Sequence, residues 1–135
     1  HIPFSLGAIG VFHSIPISEV GNDGLKLSAC LLARIYSNTV TTWDDALVLA
    51  DNPNLKVPAG TKIQVGHRTL GSSSTGGLAG YLTQECPNDG AGGVAGWSLG
   101  SSSSTVFPTA ATFTAVEGSP GMQAFITNNK YAIGY

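Results

Sequence analysis

Apolar and polar positions along this chain fall into blocks whose period changes from strand-like to helical and back. Ile2-Pro3-Phe4 and Leu6 to Phe12, extending to Ile15, form an apolar run with small interruptions. That run predicts a buried strand, or two short ones, with glycines where backbones approach closely. Pro16 to Gly24 is a loop carrying a Gly21-Asn22-Asp23-Gly24 turn. From Leu25 to Tyr36 the apolar residues Leu27, Cys30, Leu31, Leu32, Ala33 and Ile35 have helical spacing, with Ser28 as the cap. Thr42 is the expected cap of a second, short helix over Asp44 to Ala50. Asp44 and Asp45 fall in its first turn, where the helix dipole favours negative charge, so they read as helix charges rather than a catalytic pair. Asp51 to Asn54 ends that helix.

Pro58-Ala59-Gly60 turns into a strand over Lys62 to His67, and a helix is predicted over Leu78 to Glu85. Pro87 to Ser104 is rich in Gly and Ser and reads as a low-complexity, mobile loop in which Trp97 packs on the core. Val106 to Val116 includes a strand. Ser119 as cap and Pro120 at the first position start a helix over Met122 to Thr127, and Tyr131 to Tyr135 forms the last strand. Strands alternating with helices predict an α/β fold with a mainly parallel sheet flanked by helices.

The stretch between the middle strand and its helix holds the candidate chemistry. His67-Arg68-Thr69-Leu70-Gly71-Ser72-Ser73-Ser74-Thr75-Gly76-Gly77 runs from a strand end through a polar turn into a helix start. Free backbone N–H groups and a partial positive charge gather at a helix N-terminus. Hydroxyls and an arginine at the same place predict an anion site. The alternative is a serine-capped helix beside a surface arginine. The segment is no Walker A loop, because the closing Gly-Lys-Ser/Thr is missing, and it lacks the Gly-x-Ser-x-Gly spacing of a hydrolase elbow. His67 alternates to the strand face opposite Arg68, which argues for a packed or solvent-facing histidine rather than a catalytic one.

Composition narrows the choice of partner. The 135 residues suit one domain, and 42% apolar residues suffice for one core. Only 10% are charged and the net charge is −2, so the basic face of a nucleic-acid binder or an acidic-membrane binder is absent. No apolar run is long enough to span a membrane. No signal peptide is evident and residue 1 is not Met, so a processed chain or a fragment is expected. Cys30 and Cys86 form no C-x-x-C pair, and the histidines stand apart at 1, 13 and 67, which argues against structural zinc. The sparse charge and abundant Ser and Gly favour a disulfide over two buried thiols, and a secreted setting over a cytosolic one. His1, if a free terminus, offers a copper site through its amine and ring, with His13 or His67 as a second ring. No other metal and no cofactor is expected.

The order of these segments resembles the second lobe of the phosphate-binding proteins that feed bacterial ABC transporters, and of their relatives, the DING proteins. Arg68-Thr69-Leu70-Gly71-Ser72-Ser73-Ser74 is similar to the family's Arg-x-acid-(Gly/Ser)-Ser-Gly-Thr. Leu27 to Cys30, Ile35 to Ser37 and Thr42-Trp43-Asp44-Asp45 resemble its helix and tryptophan-aspartate turn. Gly118 to Met122 and Ala132-Ile133-Gly134-Tyr135 resemble its late helix and returning strand. The resemblance implies a type II periplasmic-binding-protein fold, with residues 1–135 as a single lobe, and a non-catalytic phosphate or oxyanion binder that is secreted or periplasmic. It implies that Arg68 pairs with phosphate oxygens, that Ser72 and Ser74 donate hydroxyl and N–H bonds, that Ser73 donates an N–H, and that Cys30 and Cys86 are bridged. A complementary first lobe, on the same precursor or another chain, is the implied partner. Two positions depart from the pattern: Leu70 stands where the family has a carboxylate, and Ser73 where it has a glycine. A rival reading is an extracellular interaction or structural module that kept the fold and lost the ligand.

Overall fold

The computed structural model describes residues 7–69, 71–87 and 96–135. Its strands are β1 (Phe12–His13), β2 (Gln64–Arg68), β3 (Phe113–Val116) and β4 (Ala132–Gly134). The helices are α1 (Ile17–Val20), α2 (Ala29–Tyr36), α3 (Ala46–Asp51), α4 (Ser73–Glu85) and α5 (Gly118–Asn128). The strands form one sheet in the order β1-β4-β2-β3. β2 runs parallel to both β3 and β4, and only β1 is antiparallel. This is the expected α/β lobe with a mainly parallel sheet.

Period-two alternation divides the core between the two faces of the sheet. Val65 and Ile133, paired in register, belong to the larger core with Leu31, Leu32, Ile35, Leu78 and Leu82 from α2 and α4. The other face carries Ala132, Gly66 and Gly134, and against it lie Met122 and Phe125 of α5. A Cβ at Gly66 would sit 2.6 Å from a Phe125 ring carbon, and one at Gly134 would collide with the Met122 sulfur. The missing side chains let α5 lie close to the sheet. The Cys30–Cys86 disulfide joins the start of α2 to the residue after α4.

Several boundaries differ from the sequence expectation, each for a local reason. The apolar N-terminal run yields only the two-residue β1 at the sheet edge, where Phe12 is 59% exposed. Residues 1–6 of that run lie outside the described residues. α1 interrupts the expected Pro16–Gly24 loop, starting directly after Pro16, whose carbonyl accepts from Val20. Ser28 does cap α2, accepting from the Leu31 amide. In α3 the cap is Asp45 rather than Thr42. The Asp45 carboxylate accepts from Leu47 N–H, while Asp44 accepts from Gly60 N–H and Thr42 is bridged to Lys62.

α4 begins at Ser73, five residues before the expected Leu78. Its first turns, Ser-Ser-Thr-Gly-Gly, have poor intrinsic propensity, but they are held by tertiary contacts. Thr75 is buried, Gly76 lies against the Ser103 backbone and Gly77 against Ile9. α5 likewise starts early, with Glu117 at the cap position, so Ser119 is inside the helix and not its cap. Trp97 is buried in the core as expected, and its indole N–H donates to the Gly100 carbonyl. Residues 88–95 of the expected mobile loop lie outside the described residues.

Candidate anion site at the carboxyl end of the sheet

Parallel register brings the carboxyl ends of β4, β2 and β3 side by side, and there the chain places its polar groups. Arg68 is the last residue of β2, Tyr135 directly follows β4, and β3 leads through Glu117 into α5. In open α/β sheets this end is where ligands bind. Thr69 N–H donates to the Val116 carbonyl at 3.0 Å, holding the end of β2 to β3. Gly71 then takes φ +84° and donates its N–H to the Ser103 carbonyl at 3.1 Å. That left-handed turn suits glycine and swings the chain into α4.

Ser72 occupies the N-cap position of α4, but its side chain makes no capping hydrogen bond. Its carbonyl accepts the Gly76 N–H, so the amides of Ser73, Ser74 and Thr75 have no partner within the helix. At the start of α5 the Gly121 N–H reaches back to the Glu117 carbonyl, leaving Gly118 and Ser119 in the same condition. Both helix starts lie at the same end of the sheet as Arg68.

A cavity of about 440 Å³ opens between these elements. Arg68, Ser74, Ser119 and Tyr135 supply polar groups to its lining, while Met122 and Ile126 of α5 form an apolar wall. Ile9 and Phe12 complete the apolar side. No Asp or Glu lines the cavity among the described residues, so the guanidinium charge is not neutralised there. The Arg68 Nε is buried and has no hydrogen-bond partner among the described residues.

A buried network fixes the cavity's rim. The Arg68 backbone N–H donates to the Tyr135 phenol oxygen at 3.1 Å, and the Thr75 hydroxyl lies 2.7 Å from the same oxygen. Burial raises the Tyr135 pKa above its usual value, outweighing the hydrogen bonds that oppose the shift, so the phenol keeps its proton at neutral pH. His67 points to the other face and packs against Phe107, with ring centroids 4.9 Å apart and the planes tilted by 36°. Burial lowers its pKa below the ordinary histidine value. It is the packed histidine that alternation implied.

Of the four residues singled out from sequence for phosphate, the structure brings Arg68 and Ser74 to the cavity. Ser72 and Ser73 stand at the start of α4, outside the lining. Thr75 belongs to the stretch singled out from sequence, whereas Tyr135 reads there only as the end of the last strand and Ser119, the expected cap, lies in the lining. Tyr135 meets Arg68 only because β4 pairs with β2, which no local pattern reports. Leu70 and His1 lie outside the described residues. Among the described residues no group of three or more potential metal ligands exists.

The fold and the site have counterparts among known proteins. Residues 1–135 match the profile of a PBP superfamily domain. The chain belongs to the PBP superfamily. Its curated relatives include phosphate-binding protein PstS of Haemophilus influenzae, 30% identical over 131 residues, covering 93% of this chain and 35% of the relative. The protein of that name from Methanocaldococcus jannaschii is 31% identical over 139 residues, covering 98% of this chain and 33% of the relative. That from Xylella fastidiosa is 28% identical over 135 residues, covering 98% and 33%. This PBP superfamily chain thus spans about a third of the length of the curated relatives it matches. Each of those names describes a binding protein, not an enzyme. No helix among the described residues is long and apolar enough to cross a membrane.

Proposed function

We propose that this chain is a non-catalytic oxyanion-binding lobe whose ligand is phosphate, held between Arg68 and the starts of α4 and α5. The observation that carries this is the Arg68 guanidinium, whose buried Nε has no partner among the described residues, beside a cavity that none of their carboxylates lines. A buried donor without an acceptor costs free energy, and an anion supplies that acceptor. Two converging helix starts add free N–H groups and dipole charge of the right sign. In this reading Arg68 pairs with the oxygens, Ser74 donates from within the cavity, and Ser72 and Ser73 contribute at the helix start. The relatives' name, phosphate-binding protein PstS, supports phosphate over other oxyanions.

Residues 1–135 would form a single lobe, and a complementary lobe would supply the remaining contacts. The cavity mouth supports this, because Phe12 is 59% and Ile9 43% exposed where a covering surface would pack. Those same side chains favour the second reading, an interaction module that retains the fold without the ligand. The disulfide supports a secreted or periplasmic setting for either.

Amide NMR of the ¹⁵N-labelled chain during titration with inorganic phosphate separates the two. Binding predicts saturable shifts confined to residues 72–75 and 118–119 at millimolar phosphate, absent in Arg68→Ala. No site-specific response, or the same response in Arg68→Ala, overturns the phosphate reading and leaves the interaction module.

A further inference from the structure

The hydrogen-bond inventory around Tyr135 assigns its phenol a role beyond structure. Thr75 is 1% exposed, and its hydroxyl has one partner among the described residues, the Tyr135 oxygen at 2.7 Å. A buried hydroxyl proton needs an acceptor. The Thr75 proton therefore goes to Tyr135, whose oxygen also accepts the Arg68 backbone N–H at 3.1 Å. With both incoming bonds made, the Tyr135 oxygen is filled as an acceptor, and its own O–H proton has no partner among the described residues. Tyr135 lines the cavity with Arg68, Ser74 and Ser119.

The geometry points to Tyr135 as a further anion ligand, a phenol whose proton is turned into the cavity by the two donors that occupy its oxygen. This rests on the anion-binding reading and adds a residue to it. A phenol so held presents only a donor, so it favours a ligand atom bearing lone pairs and no proton. An oxyanion has such atoms; a neutral hydroxyl offers fewer. The same bonds tie the donor to Arg68 through the Arg68 backbone N–H, so the guanidinium-bearing strand end and the phenol are positioned together.

The test titrates inorganic phosphate into the chain labelled at tyrosine ¹³Cζ and arginine ¹⁵Nε, beside Tyr135→Phe and Thr75→Val. The expected result is that Tyr135 Cζ and Arg68 Nε both shift along one binding curve. Tyr135→Phe should weaken binding about tenfold, as loss of a hydrogen bond to a charged group does. Thr75→Val, which removes one of the two donors that turn the phenol proton but keeps the phenol itself, should weaken binding, and by less than Tyr135→Phe does. If Arg68 shifts while Tyr135 Cζ does not, or if the two substitutions weaken binding equally, Tyr135 is structural only and this inference fails while anion binding stands. If neither nucleus responds, both fail.

Discussion

Arg68 is the residue on which the proposed anion binding depends. Its backbone is held by Tyr135 and its side chain lines a cavity that has no carboxylate among the described residues, where the Nε likewise has no partner. Replacing Arg68 by Lys keeps the charge but loses the planar fork, and should weaken phosphate binding about tenfold or more. Melting curves of the two proteins should agree closely, because the side chain makes no ion pair among the described residues. A lysine variant that binds as tightly as the parent would contradict a fork-specific contact. His67 and His13 add a pH dependence of stability. Burial depresses both, so the folded chain resists protonation while the unfolded chain takes up protons near the ordinary value of about 6.5. Stability should therefore be complete above that pH and fall as pH drops through it toward the lower folded values. Urea midpoints between pH 7.5 and 5.5, with the His67 ring titrated by NMR, check this; a ring value at or above 6.5 would remove the cause. Sequence alternation placed His67 and Arg68 on opposite faces, and that legibility stops at the backbone. The Tyr135 and Thr75 contacts span 67 and 60 residues of sequence and exist only after the sheet has formed.

Elements show which local signals tertiary packing overrides. The Ser28 cap of α2 and the apolar periodicity behind it are local chemistry, and they are readable from the sequence. The start of α4 is not, because Ser, Thr and Gly disfavour helix and only the burial of Thr75 and close packing at Gly76 and Gly77 draw them in. Two glycines give opposite expectations on this basis. Gly66→Ala puts a Cβ 2.6 Å from the Phe125 ring, separating α5 from the sheet, and should cost about 1–3 kcal/mol in urea unfolding. Gly80→Ala in α4 meets no atom within 4 Å and should stabilise the chain by up to about 1 kcal/mol. Equal effects from the two would mean that α5 does not press on Gly66. The Cys30–Cys86 bond closes a sequence separation of 56 residues across α2 and α4. Removing it with Ala at both positions should cost roughly 4 kcal/mol on the chain-entropy account, measured by the same unfolding series.

For the molecule as a whole, the parallel sheet decides where chemistry can occur. Three strand ends and two helix starts converge at one edge, so an arginine, serines and a tyrosine distant in sequence share one cavity. The α/β class followed from alternation of periods along the chain, and the Arg68–Ser74 turn from its composition. The depth and apolar wall of the cavity did not, since they depend on α5 lying against Gly66 and Gly134. In the proposed two-lobe arrangement this chain contributes half the ligand shell, and its isolated affinity is correspondingly modest. Isothermal titration of inorganic phosphate into the parent chain and Arg68→Ala tests that claim most directly. Saturable binding with a dissociation constant on the order of 1 mM is expected for the parent and none for Arg68→Ala. Absence of saturable binding in the parent, or equal binding by both proteins, would contradict it.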